Sequence, residues 1–265
     1  MKFQIDHDYH IHSQLSSCSR DPEQSTERIL RYAAENGLRD ICLADHFWDE
    51  TVPGASSWYQ KQDYAHIRQS LPLPQNENVR FHFGCETEMD KYYTVGISEH
   101  VMQELEFVII PTTHLHMRGF TLREPEDMSI ERRAVLYITR LEALLDKKYP
   151  AEKVGIAHLA CHLIAPDGQY LDVLDSISDN VFRGLFEKVA QVGYGVELNM
   201  PAVYGSLPEQ ESAMRPFRIA KECGCKFYLG SDAHHPEEFD GIIENFRGLV
   251  ELLDLHESDK FRPFG

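Results

Sequence analysis

The chain has 265 residues, 42% of them hydrophobic and 26% charged, the balance of an ordinary globular protein. A net charge of −17 argues against non-specific binding to nucleic acid or to an anionic membrane. No stretch approaches the roughly 20 apolar residues that cross a bilayer, and the opening MKFQIDHDYH lacks the apolar run of a secretory signal, so the cytoplasm is the expected compartment.

Taken in chain order, short apolar runs alternate with longer amphipathic segments. The first run, Phe3–His10, precedes a helical stretch, EQSTERILRYAAENG, whose final glycine suits a helix end. Asp40–Asp45 comes next, and the Trp48–Pro74 region reads as a long loop with some helix. Val79–Glu86 and Phe107–Thr112 follow, then a second loop over Arg118–Met128 and the helix SIERRAVLYITRLEALLDKKY. Val154–His158, the helix NVFRGLFEKVAQVG, Gly195–Asn199 and Lys226–Gly230 complete the series. Strands alternating with helices imply parallel pairing. Without an internal repeat or a linker-like shift in composition, one domain over 1–265 is expected.

The polar residues decide between an open sheet and a barrel. His10 and His12 alternate at a strand end, where side chains two apart share a face, so both rings converge on one point. Asp45 and His46 end the second strand, and Glu86 and Glu88 the third. His114 and His116 follow the fourth, His158 ends the fifth, Glu197 and Asn199 end the sixth, and Asp232 and His234 follow the last. A (β/α) barrel collects its functional groups at the carboxyl ends of its strands. Histidines scattered as packing residues would not keep this position. The six cysteines contain no CxxC pair, and Cys42 and Cys85 sit in apolar runs, as reduced thiols do.

In that order, DYHIHS, LADHFW, GCETE, PTTHLH, GIAHL and GSDAHH resemble the motifs of the PHP (polymerase and histidinol phosphatase) superfamily, over Asp8 to His235. The resemblance implies a distorted seven-stranded (β/α) TIM-like barrel with two or three divalent metal ions at the strand ends. Carried over by position, His10, His12, Glu86 and Asp232 would hold the first metal. Glu86 would bridge to a second, completed by His114 and His158, and His46 with His234 would hold a third. Imidazole and carboxylate ligands suit zinc, manganese or iron, and a bridging carboxylate suits two adjacent cations.

One position departs from the pattern. Six residues after His12, where the family members closest in pattern carry a histidine, this chain has Cys18. Thiolate is a good zinc ligand and a poor manganese ligand, so the third site is zinc-biased, weakened or empty. His116 competes with His114, which is preferred because it follows its strand directly. His162 reads as a supporting or surface residue. His7 and His235 are not expected to be ligands, and His66, His82, His100 and His256 show no partner pattern. Glu88 reads as solvent-facing or supporting, and Asp45 either orients His46 or is a plain loop acid.

Two or three cations in an open cleft meet the needs of phosphate ester hydrolysis. They acidify water and neutralise phosphoryl oxygens. No GxSxG elbow or CxxxxxR loop is present, so the expected nucleophile is a metal-bridging hydroxide, with Asp232 or His234 passing its proton. Arg118 is the first choice for a phosphate-binding cation and Arg20 the second. The expected activity is that of a phosphomonoesterase acting on a small phosphorylated metabolite, with histidinol phosphate as the leading named substrate. Other phosphorylated metabolites, nucleotides and phosphotyrosine peptides stay open. An amidohydrolase-type C–N hydrolase is the alternative, although no lysine ends the fourth strand to bridge metals as that superfamily does. A non-catalytic metal-binding barrel is the third reading. The sequence leaves the oligomeric state open.

Overall fold

The computed structural model describes residues 1–264. Seven parallel strands curl into a nearly closed TIM-like barrel with helices between them. These are β1 (His7–Ile11), β2 (Asp40–Leu43), β4 (Arg80–Thr87), β5 (Phe107–Pro111), β6 (Val154–Ala157), β7 (Gly195–Leu198) and β8 (Lys226–Leu229), hydrogen-bonded in that order. An additional two-residue strand, β3 (His46–Phe47), pairs with the carboxyl end of β4, matching His46 to Glu86. The gap between β1 and β8 is closed by backbone bonds just past the strands. Asp232 N–H donates to the His10 carbonyl at 2.7 Å, and His12 N–H donates to that of Ala233 at 3.0 Å.

Most of the sequence-based strands recur within a residue or two. Two differ for clear reasons. The first begins at His7 rather than Phe3, because the preceding residues pair elsewhere: Lys2 bridges antiparallel to His256, and Phe3 N–H bonds the Leu255 carbonyl. The second stops at Leu43. The chain jogs at Ala44 and Asp45, whose carbonyls both accept from Glu86 N–H, and resumes as β3.

Helices cover the barrel. Helix α1 (Thr26–Glu35) starts at Ser25, whose hydroxyl accepts from Arg28 N–H. Helix α2 (Ile130–Leu145) falls within its predicted stretch, α3 (Asp179–Val192) begins one residue before its own, and α3 ends on Gly193 in the left-handed conformation, φ 91°. Helix α4 (Leu207–Glu222) tolerates Pro208 in its first turn and Pro216 inside. Its prolines and low amphipathicity hid it from the sequence reading. Among the described residues, no helix is long and apolar enough to cross a membrane.

Strand alternation sorts the core into two layers. Ile41, Leu43, Val108, Ile110, Ile156, Val196, Phe227 and Leu229 face the helices in the main cluster. Tyr9, Cys42, Phe107, Ile109, Ala157 and Tyr228 fill the barrel, with Phe261 at one end. The same period of two turns Glu86 (after outward Cys85) and Glu197 (between outward Val196 and Leu198) into the interior. That places two buried carboxylates beneath the mouth.

Candidate metal centre

The carboxyl ends of the strands converge as the sequence implies. His10, Glu86, His158 and Asp232 bring one ligand atom each within 4.8 Å of one another, and so do His12, His46 and His234. His12 also adjoins the first group, with its Nε2 3.0 Å from both His10 Nε2 and Asp232 Oδ1. His46 Nδ1 lies 2.9 Å from Glu86 Oε2, a contact made by the β3–β4 pairing. His114 lies outside both groups, its ring stacked on that of His158 at 4.9 Å. Cys18 is exposed at the rim near His46 and His234 and, like His114, falls outside both groups.

Two ligand candidates hold strained backbone. His158 has φ 63° and Asp232 φ 58°, the left-handed region that non-glycine residues seldom occupy. Such conformations cost about 1–3 kcal/mol each and persist where the surroundings fix them. Asp232 is fixed by its N–H donating to the His10 carbonyl, and His158 by the Thr113 hydroxyl, which donates to its carbonyl at 2.6 Å.

A second ring of residues anchors the imidazoles from behind. His10 Nδ1 lies 2.6 Å from Glu197 Oε1, His12 Nδ1 2.9 Å from Ser16 Oγ, and His114 Nδ1 2.7 Å from Glu88 Oε2. His158 Nδ1 contacts the Asn199 amide at 2.7 Å, and His234 Nδ1 the Asp232 carbonyl at 2.7 Å. Ser16 donates to Asp45 at 2.7 Å, and so accepts from His12. In each case the anchored nitrogen leaves Nε2 turned inward, the arrangement of metal-bound histidines. Asp45 therefore serves the β1 loop, binding Ser13 N–H and both serine hydroxyls, and makes no bond to the His46 ring. Glu88 is fully buried rather than solvent-facing, held by Met89 N–H at 2.8 Å and by Arg140. The Arg140 guanidinium, also buried, donates to the carbonyls of Thr112, Asp90, Thr121 and Met89. Gly230 completes the support: a Cβ there would collide with Glu197 and come within 2.7 Å of the His10 Cβ.

The imidazoles and carboxylates at this mouth shift one another's titration. Burial opposes a charge on His10, yet Glu197, Asp232 and Glu86 hold its pKa well above the usual value. Against the same burial, Glu86 and Cys18 raise His46 to about 10, and Asp232 and Glu86 raise His158 to about 8. Burial and the neighbouring His234 and His46 hold His12 well down. Burial would raise Glu86, but His46 and His10 keep it well below the usual carboxylate range. Burial would likewise raise the Cys18 thiol, but hydrogen bonds with His234 and His46 bring it to about 6.

Four buried atoms here make no well-formed hydrogen bond: His46 Nδ1 and Glu86 Oε2, which face each other at 2.9 Å, Asp232 Oδ1, which faces His12 Nε2 at 3.0 Å, and His114 Nε2, which faces no partner. Leaving a buried polar atom unpaired costs about 1–3 kcal/mol. Divalent cations accept lone pairs of this kind, and the imidazole nitrogen and carboxylate oxygen donors suit zinc, manganese or iron. The residues fit a metal centre.

The centre opens into a cleft of about 550 Å³. Arg118 is exposed on its wall, His116 stands beside His114 there, and Arg20 is absent from the lining. The remaining histidines are supporting or superficial. His162 is exposed, His235 pairs with Asp21 at 3.3 Å, and His66 bonds the Leu15 carbonyl. The sequence had placed Glu197 and Asn199 at a strand end without a role, and gave no sign of Ser16 or Arg140.

No family model matches the chain, and no curated protein sequence matches it. Solved structures resemble it in fold. A histidinol phosphate phosphatase from Lactococcus lactis, complexed with zinc, L-histidinol and phosphate, superposes at TM-score 0.59 with 17% identity, covering 97% of each chain. A probable 2-pyrone-4,6-dicarboxylic acid hydrolase from Acinetobacter baumannii aligns over 97% of each chain at 14% identity and TM-score 0.44. At these identities the likeness is one of fold.

Proposed function

We propose that the protein is a metal-dependent phosphomonoesterase of the histidinol-phosphatase kind, acting on a small phosphorylated metabolite. The observation that carries this reading is the buried cluster of imidazole nitrogens and carboxylate oxygens crowded together at one cleft, of which those on Glu86, Asp232, His46 and His114 make no well-formed hydrogen bond. In support, the Lactococcus lactis structure of like fold holds zinc and phosphate.

His10, Glu86, His158 and Asp232 would hold one ion, with His12 beside them. Glu86 would be shared with a second ion that His114 completes, and His46, His234 and Cys18 would hold a third. Zinc, manganese or iron bound there would acidify water and neutralise phosphoryl charge. The chain's own groups do the rest. Glu197, Ser16, Glu88 and Asn199 fix the ring tautomers, and Arg118 at the rim binds phosphoryl oxygens as a forked donor. Asp232 and His234 are assigned the proton traffic of the attacking water and the leaving alcohol.

Hydrolysis of C–N bonds in the amidohydrolase manner fits less well, since among the described residues no lysine lines the cleft. The test is phosphate release from a panel of phosphomonoesters by protein reconstituted with zinc, manganese or iron. Turnover of at least one ester, abolished by chelator, is expected. Protein that binds its metals yet cleaves no ester would sink the reading.

A further inference from the structure

The cleft wall beyond the metal centre is apolar and aromatic. Tyr59 and Phe120 are packed with Trp48 in a small buried cluster, with Met117 laid against it, separate from the barrel core. Trp58 stands on its outer side, 37% exposed, held edge-on by Tyr59 at 4.7 Å and by His46 at 5.1 Å. Leu163 closes another part of the wall. The cleft is larger than a phosphate group needs, and lies within the size range of small-molecule sites.

Charge on this wall is equally telling. The only carboxylates lining the cleft, among the described residues, are Glu86 and Asp232, both committed to the metal centre. Apart from the rings and thiol of the metal centre, the one other charged side chain on the wall is Arg118. With Arg118 taken up by the phosphoryl group, an ammonium on the organic part of a substrate would therefore find no carboxylate outside the metal centre to pair with. A burial site that leaves a charge unpaired selects against it. An aromatic ring would instead meet ring and thioether partners that suit it.

Resting on the phosphomonoesterase reading, we propose that the substrate is a phosphomonoester whose organic part is an uncharged aromatic group, selected by Trp58, Met117 and Phe120. An amino-alcohol ester such as histidinol phosphate is then a poor substrate, although the Lactococcus lactis protein of similar fold is a histidinol phosphate phosphatase.

The test compares benzyl phosphate with 3-aminopropyl phosphate and histidinol phosphate on the metal-loaded protein. All three leave as primary alcohols, so intrinsic reactivity does not mask selection by the wall. The expected kcat/KM favours benzyl phosphate by at least about tenfold. Trp58→Ala should raise KM for the benzyl ester more than it lowers kcat, and narrow that preference about fivefold, while Trp58→Phe restores it. A calorimetric readout independent of turnover uses two phosphonates: benzylphosphonate should bind at least about tenfold tighter than 3-aminopropylphosphonate. Equal or better use of histidinol phosphate would overturn the proposal and leave the phosphatase reading intact. Metal-loaded protein that cleaves none of the three, nor any other ester, overturns both.

Discussion

Histidines stand at both ends of this barrel, and they are treated in opposite ways. At the amino ends of the strands, His7 has Nδ1 on Asp6 at 2.9 Å and accepts Leu229 N–H on Nε2 at 3.1 Å. His82 contacts Glu106 at 2.7 Å and Asp40 at 3.1 Å, and its ring stacks on Phe264. Both nitrogens of both rings are satisfied by protein. At the carboxyl ends, His10, His12, His158 and His234 have Nδ1 anchored and Nε2 turned to the ligand cluster, while His114 is anchored the same way with Nε2 left without a partner. His82 and Glu86 even share the inner face of β4, four residues apart. Burial alone therefore does not mark a ligand; what marks it is one ring nitrogen anchored while the other meets groups that leave lone pairs unmatched.

The comparison is broken most directly at Glu86. Glu86→Gln removes the charge to which His10, His12, His46 and His158 all come close. Activity should fall by more than about a thousandfold, with metal content reduced and the far-ultraviolet circular dichroism unchanged. Activity within tenfold of wild type would show that the centre does not depend on this carboxylate.

The anchors come next in size. Glu197→Gln and Ser16→Ala leave every proposed ligand in place but loosen His10 and His12. Loss of such supports costs about 10- to 100-fold in metal affinity, measurable by chelator competition. The raised pKa values of His10, His46 and His158 set the pH dependence. These rings hold protons that metal must displace, so affinity rises with pH through about 8, where His158 titrates, and on towards about 10, where His46 does, and uptake releases protons. Calorimetry in buffers of different ionisation enthalpy counts them; zero release at pH 7 contradicts the prediction.

Cys18 tests the edge of the centre. If its thiolate joins His46 and His234 on zinc, alkylation is slow in loaded protein and fast after chelation, and Cys18→Ser lowers occupancy by no more than one ion. Equal alkylation rates in both states would leave two metals and a bystander thiol.

The smallest effect belongs to the opposite end. His82→Gln should leave metal content and activity unchanged and cost about 1 kcal/mol of stability. Burial opposes the charge on His82, but Asp40 and Glu106 raise its pKa above the usual value. A raised folded value makes its contribution complete below the unfolded pKa of about 6.5 and lost as pH rises through the folded one. The destabilisation should thus be larger at pH 6 than at pH 9 in thermal melts.

What the sequence determined by itself was the order of strands and the chemistry at their ends. Apolar alternation of period two is a local property, and so is the placing of His10 and His12, Glu86, His158 and Asp232 where a strand stops. The barrel followed from them. The tertiary structure alone decided which groups touch. Glu197 reaches His10 across 187 positions, and Glu88 and Arg140 meet over 52. Neither pairing leaves a periodic trace, because each depends on strand register rather than on neighbours in the chain. His46 reached Glu86 through a jog at Ala44 and Asp45 that a run of apolar letters does not reveal. The wall of Trp58, Met117 and Phe120 comes from two irregular loops, whose paths are set by the cluster they form together and by no local propensity.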